Sequence, residues 1–159
     1  MSAPRIPQWL IEAGAGGLVD ETNVTLALYG EALDPTELTR TLGCSPTRSF
    51  AKGFTHSERS PPMRQGAWLL TLTGKAPLGP DQLIKSLLGR LSLTQEAWLD
   101  LAQRYRLTVQ VGLHLDAWNR GFSLSRETLA GIVRIGAQLE FDIYADGEDM
   151  MSNNRSSGP

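Results

Sequence analysis

The stretch LTVQVGLHLD, residues 107–116, constrains the fold of this chain more tightly than any other. Leu107, Val109, Val111, Leu113 and Leu115 recur at every second position, with Thr108, Gln110, Gly112, His114 and Asp116 between them. Side chains of a strand point alternately to its two faces, so a period of two describes a strand buried on one side only. The same pattern recurs in NVTLALYG, where Val24, Leu26 and Leu28 alternate with Thr25, Ala27 and Tyr29. AWLLTLTG sets Trp68, Leu70 and Leu72 on one face, and QLEFDIYAD turns Leu139, Phe141 and Ile143 inward with Glu140, Asp142 and Tyr144 outward. Repeated alternation demands a sheet with one face covered and the other at least partly open.

The cover comes from segments with helical spacing. DPTELTRTLG carries Asp34 as N-cap, Pro35 at the first helical position, Glu37 placed to complete a capping box and Gly43 as the stop. GPDQLIKSLLGRL gathers Leu83, Ile84, Leu87, Leu88 and Leu91 on one stripe. SLTQEAWLDLAQRYR, capped by Ser92 or Thr94, turns Trp98, Leu101, Ala102 and Tyr105 inward. GFSLSRETLAGIVRIGA predicts a helix capped at Ser125 that buries Leu129, Ile132 and Val133. A further strand is expected near residues 49–55. The order is strand, helix, strand, strand, helices, strand, helix, strand. It predicts one α+β layered domain, a mostly antiparallel sheet with helices on one face, in a ferredoxin-like variant. The domain spans residues 23–145, after an irregular lead-in over 1–22 and before a polar tail over 146–159.

Composition narrows the function. A net charge of −2 and a pI near 5.7 argue against a nucleic-acid binder, which carries a strong basic excess. A single cysteine, Cys44, rules out an intrachain disulfide and a multi-cysteine zinc site, and fits a reducing compartment. The apolar cluster Trp9-Leu10-Ile11 is too short for a secretory signal, and no apolar run reaches membrane-spanning length. The expectation is a cytoplasmic protein with no membrane partner. The glycines of residues 14–17 precede a strand rather than follow one, which is the wrong context for a dinucleotide fingerprint.

Two surfaces attract attention. The first is the loop between Ser45 and Gly66, where Arg48, Lys52, Arg59 and Arg64 face a single acid, Glu58, on an otherwise acidic chain. Guanidinium forks suit carboxylates or phosphates. Pro46 fixes the backbone, Thr47 offers a hydroxyl and Gly53 permits positive φ. The loop is either a binding loop or a plain surface connection. It lacks the glycines and the Gly-Lys-Ser/Thr ending of a nucleotide-binding loop. The second surface is the outward sheet face with Tyr29, Gln110, His114, Glu140, Asp142 and Tyr144. Its acidity suits a protein or small molecule better than phosphate chains. Neither histidine sits in a recognisable catalytic spacing, and His114 with Asp116 is a weak metal pair, so no catalytic residue, metal or cofactor is assigned. Cys44 follows a helix C-terminus and reads as structural. Trp9 and Trp118 are candidates for partner anchors.

The blocks LYGEALDPTELTRTLGCSPTRSFAKG, the strand at Trp68 and the closing GFSLSRETLAGIVRIGAQLEFDIY resemble, in that order, the bacterial family numbered 4279 among domains of unknown function. The resemblance covers roughly residues 23–145. It picks out Pro46, Thr47, Lys52, Gly53, Trp68, Asp142 and Tyr144 as motif positions, and implies a fold rather than a mechanism. Small bacterial domains of this kind suggest, by analogy, immunity or accessory proteins. The working expectation is a non-enzymatic protein-binding domain, an immunity protein against a toxin-like partner. The alternative is an anion or small-molecule sensor at the 45–66 loop. The residues expected to carry either role are Pro46, Thr47, Arg48, Lys52, Gly53, Trp68, His114, Asp142 and Tyr144.

Overall fold

In the computed structural model, residues 17–117 and 119–145 are described. Alternation does produce strands: β2 (Glu21–Gly30), β4 (Gly66–Lys75) and β5 (Arg106–Leu115) each run ten residues. They form the centre of a five-stranded sheet in the order β3-β4-β2-β5-β7, with β3 (Arg48–Phe50) and β7 (Gln138–Ala145) at its edges. Every neighbouring pair is antiparallel except β5 and β7. A short parallel pair, β1 (Gly17–Leu18) and β6 (Arg120–Gly121), stands apart.

Among the described residues the helices are α1 (Pro35–Leu42), α2 (Pro80–Leu88), α3 (Gln95–Arg104) and α4 (Arg126–Arg134). The connection through α1 carries the chain from β2 to β3 across the place of β4, and the connection through α2 and α3 carries it from β4 to β5 across β2. That is the split β-α-β-β-α-β arrangement of a ferredoxin-like fold. The α4–β7 unit is appended in parallel on β5, as a strand-helix-strand crossover requires. The fold is therefore α+β and mostly antiparallel, with its helices on one face.

The register fixes which residues share that covered face. Leu26 lies opposite Leu70 and Val109, and Leu28 opposite Trp68 and Leu107. These side chains are buried with Leu38 and Leu42 of α1, Ile84 and Leu87 of α2, Trp98 and Leu101 of α3, and Ile132 of α4. Trp68 is wholly enclosed, and its indole N–H donates to Thr39 Oγ1 at 3.1 Å.

Helix ends follow local chemistry. Asp34 accepts from the backbone N–H groups of Thr36 and Glu37, and Gly43 ends α1 in the left-handed region at φ 71°. Thr94 and Ser125 cap α3 and α4. Glu37 does not close the expected capping box. Its carboxylate accepts from Arg104 at 3.0 Å instead, because a long-range guanidinium on α3 is in reach.

Four further expectations are corrected. Strand β2 begins at Glu21, inside the segment expected to be irregular. The strand expected over residues 49–55 is only Arg48–Phe50, since Gly53 turns the chain at φ 88°. On α4, Thr128 and Ile132 face inward one turn apart, which rotates Leu129 and Val133 outward; Val133 is 77% exposed. On β7, Leu139 packs against the core, but Phe141 and Ile143 are 40% and 61% exposed. Alternation assigned them to the correct face, yet the edge of a sheet extends past its helical cover. The tail from 146 on, and Trp9 and Trp118, lie outside the described residues.

Candidate binding face

The four helices pack on one side of the sheet, so its other side is bare of helix among the described residues. The register arranges that open face in rows. Phe50, Ala67, Tyr29 and Arg106 form one end row, and Lys75, Glu21, His114 and Tyr144 form the other. Between them lie Arg48, Leu69, Ala27, Thr108 and Gln138, then Thr71, Thr25, Gln110 and Glu140, then Thr73, Asn23, Gly112 and Asp142. The centre is small and hydroxyl-rich, and Thr25 and Thr71 join their hydroxyls at 2.8 Å. Gly112 leaves room for Asn23, whose Oδ1 lies 2.5 Å from where a Cβ would stand.

The two ends differ in chemistry. At the β3 end, Phe50 and Phe54 stack at 5.5 Å, and His56 meets Phe54 edge-on at 5.1 Å. Arg48 Nη2 donates to His56 Nδ1 at 2.7 Å, and Arg106 lies over the Tyr29 ring at 4.8 Å. This end is cationic and aromatic. Opposite it, His114 and Tyr144 stack at 4.9 Å beside a cleft of about 290 Å³ lined by Asp20, Glu21, Lys75, Leu115 and Asp116. Asp20 accepts from the Asp116 backbone N–H at 2.8 Å and from Arg120 Nε at 3.1 Å. Those bonds, the backbone one foremost, hold its carboxyl below the ordinary carboxylate range.

The 45–66 loop is built rather than loose. Thr47 Oγ1 accepts from the Thr71 backbone N–H at 2.9 Å, and the Thr47 N–H donates to the Leu69 carbonyl at 2.8 Å. The Gly53 N–H donates to Met63, and the Met63 N–H donates to Phe54, both at 2.8 Å. Thr47 and Gly53 thus shape the loop. Lys52 spends its charge on Glu31 at 2.7 Å, and that ammonium lowers the Glu31 carboxyl. Arg48 has no carboxylate partner among the described residues. Pro46 lies elsewhere, in an open cleft with Pro35, Thr36, Thr39, Arg40 and Ser49.

A scan against family models decides the grouping: the one described as a domain of unknown function, DUF4279, matches residues 20–146. The chain belongs to the DUF4279 family. No curated protein and no solved structure matches it. Of the positions picked out by the resemblance, the structure brings Asp142 and Tyr144 together with His114 on the acidic end of the open face. It puts Thr47, Lys52 and Gly53 at the opposite edge. Trp68 projects into the core, where it has no surface to offer a ligand. No hydrogen bond joins either imidazole to a carboxylate among the described residues, and they hold no cluster of metal-ligating side chains. Burial pushes the Cys44 thiol up, against a smaller pull from Arg90. No described helix is long and apolar enough to cross a membrane.

Sequence reasoning missed Phe50, Phe54 and Arg106. Their signal was present, since Arg106 falls in phase with Thr108 and Gln110, but the pairing that brings it beside Tyr29 is a tertiary fact.

Proposed function

We propose that this DUF4279 protein is a non-enzymatic, protein-binding domain of the bacterial cytoplasm, and that the open sheet face is its contact surface. The observation that carries this reading is the helix-free face itself: five strands wide, with Ala27, Ala67 and Thr108 buried beneath their neighbours, cationic and aromatic at the β3 end and acidic at the end holding Glu21 and Tyr144. A partner with the opposite polarity is steered into one orientation, because complementary fields raise association rates and suppress misaligned encounters. In its sharpest form the protein is an immunity protein that occludes a toxin. Affinity capture of the tagged protein from its own bacterium tests this. One stoichiometric partner is expected; a clean, partnerless protein counts against it.

A specific observation favours a second reading, an anion sensor at the loop. Arg48 meets a histidine and an aromatic ring but no carboxylate among the described residues, which leaves a guanidinium fork facing solvent. Lys52 contributes less because Glu31 neutralises it. Thermal-shift measurements with phosphorylated and carboxylated metabolites decide it. A stabilisation that disappears in Arg48→Ala supports the sensor, and a flat response removes it.

A further inference from the structure

Strand β7 ends the sheet, and among the described residues nothing pairs with its outer edge. A free edge presents unpaired N–H and C=O groups and recruits other strands unless it is protected. Residues 138–145 contain no proline, lysine or arginine, the usual blocking residues. They do carry Glu140 and Asp142 on the open face and Leu139, Phe141 and Ile143 on the other, where Phe122 packs beside Phe141 at 5.6 Å.

The placement of the two acids separates copies of this chain from other partners. Directly opposite residues in an antiparallel pair share a face. Self-pairing centred on Phe141 sets Glu140 of each copy against Asp142 of the other. Centring on Glu140 sets Glu140 against itself, and centring on Asp142 sets Asp142 against itself. Like charges directly opposite are destabilising, so the fullest self-pairing registers are all penalised. The same two carboxylates attract a strand with cations at alternate positions, and the exposed Phe141 and Ile143 attract apolar residues in between.

We propose that the β7 edge takes up an extended segment of a partner protein in which basic and apolar residues alternate, by addition of a sixth strand to the sheet. Main-chain hydrogen bonds hold the segment, and alternate side chains select it. The inference rests on the protein-binding reading and names the partner chemistry at one border of the open face.

The test uses the full chain and an acetylated, amidated eight-residue peptide of alternating lysine and valine, with a glutamate–valine peptide as control. A third peptide carries N-methyl groups at every residue, which removes all main-chain donors on either edge while keeping charge. Titration calorimetry and amide hydrogen exchange over residues 138–145 are the readouts. The lysine peptide is expected to slow exchange in β7 and to bind about ten-fold more tightly than the glutamate peptide, as two cross-strand charge pairs change sign. N-methylation is expected to abolish binding, and the Glu140→Lys/Asp142→Lys variant to reverse the preference. Binding that survives N-methylation overturns the proposal as mere charge attraction. Absence of binding overturns it too, as does a stable dimer of the free protein held through β7. If peptide binding fails while Thr71→Arg, at the centre of the open face, still blocks capture of a cellular partner, the edge is wrong and the open face stands. If the peptide binds while no partner contacts the open face, the reverse holds.

Discussion

The two faces of β2 differ by one residue in sequence and by almost everything in environment. Val24, Leu26 and Leu28 are completely buried beneath helices, while of the residues interleaved with them Thr25 and Tyr29 meet solvent and the small Ala27 lies beneath its neighbours. The covered face owes its order to apolar area removed from water and to close packing. The open face is held by its backbone ladder and a few local contacts, such as the hydroxyl pair of Thr25 and Thr71. Stability therefore resides on one side of the sheet, and the other side is free to change its chemistry at little cost to the fold. That division is what a binding surface on a small domain requires.

The largest effect is expected from a pair of adjacent truncations on β4. Trp68→Ala is expected to cost about 3–5 kcal/mol, since it empties a large enclosed volume and removes the donor to Thr39. Leu69→Ala, one residue on and half-buried on the open face, is expected to cost less than about 1.5 kcal/mol. Urea unfolding of both variants checks this, and equal losses would dissolve the distinction between the faces.

Next in size is Asp81, which ties α2 to α4 on the covered side. It accepts from Thr128 Oγ1 at 2.6 Å and from the Ser125 N–H at 2.8 Å, with Lys85 at 3.1 Å. Partial burial acts to raise its pKa, but these donors outweigh it and hold the carboxyl below the usual 3.8. A folded-state pKa below the unfolded one gives stability that is complete above the unfolded value and is lost as pH falls through the folded one. Asp81→Ala is expected to cost about 2 kcal/mol at neutral pH. It should also flatten the loss of stability on acidification below pH 3.8, relative to wild type, in denaturation curves taken across that range.

Two smaller effects concern the loop and the open face. Gly53→Ala forces a side chain into φ 88° and is expected to cost about 1 kcal/mol, read as a lowered melting temperature. Thr108 is fully buried beneath its open-face neighbours, and its hydroxyl has no partner among the described residues. Thr108→Val keeps the shape and removes the unsatisfied oxygen, so a gain of about 1 kcal/mol in urea unfolding is expected.

Much of this fold was legible because a strand's period states which side of it is buried. The faces of β2, β4 and β5 follow directly from alternation, and the caps Asp34, Thr94 and Ser125 from their chemistry. What alternation cannot state is how far the cover extends. Phe141 and Ile143 are in the correct phase yet exposed, because position within the sheet is a long-range property. Leu129 and Val133 were misplaced because a short helix with apolar residues at adjacent positions admits two inward stripes, and packing chose the one through Thr128 and Ile132. The candidate site was legible in part. His114, Asp142 and Tyr144 share a face by parity, but the cluster of Arg48, Phe50, Phe54 and His56 depends on a turn at Gly53 that folds the loop back on itself.

The contact surface proposed for a protein partner is the open face rather than the helical side. The most direct measurement compares capture of the cellular partner by wild type, Thr71→Arg on the open face and Val133→Arg on α4, each first shown to retain the wild-type melting temperature. The expected result is a stoichiometric partner with wild type and Val133→Arg, and none with Thr71→Arg. A partner retained by Thr71→Arg and lost from Val133→Arg would contradict the claim and move the contact surface to the helices.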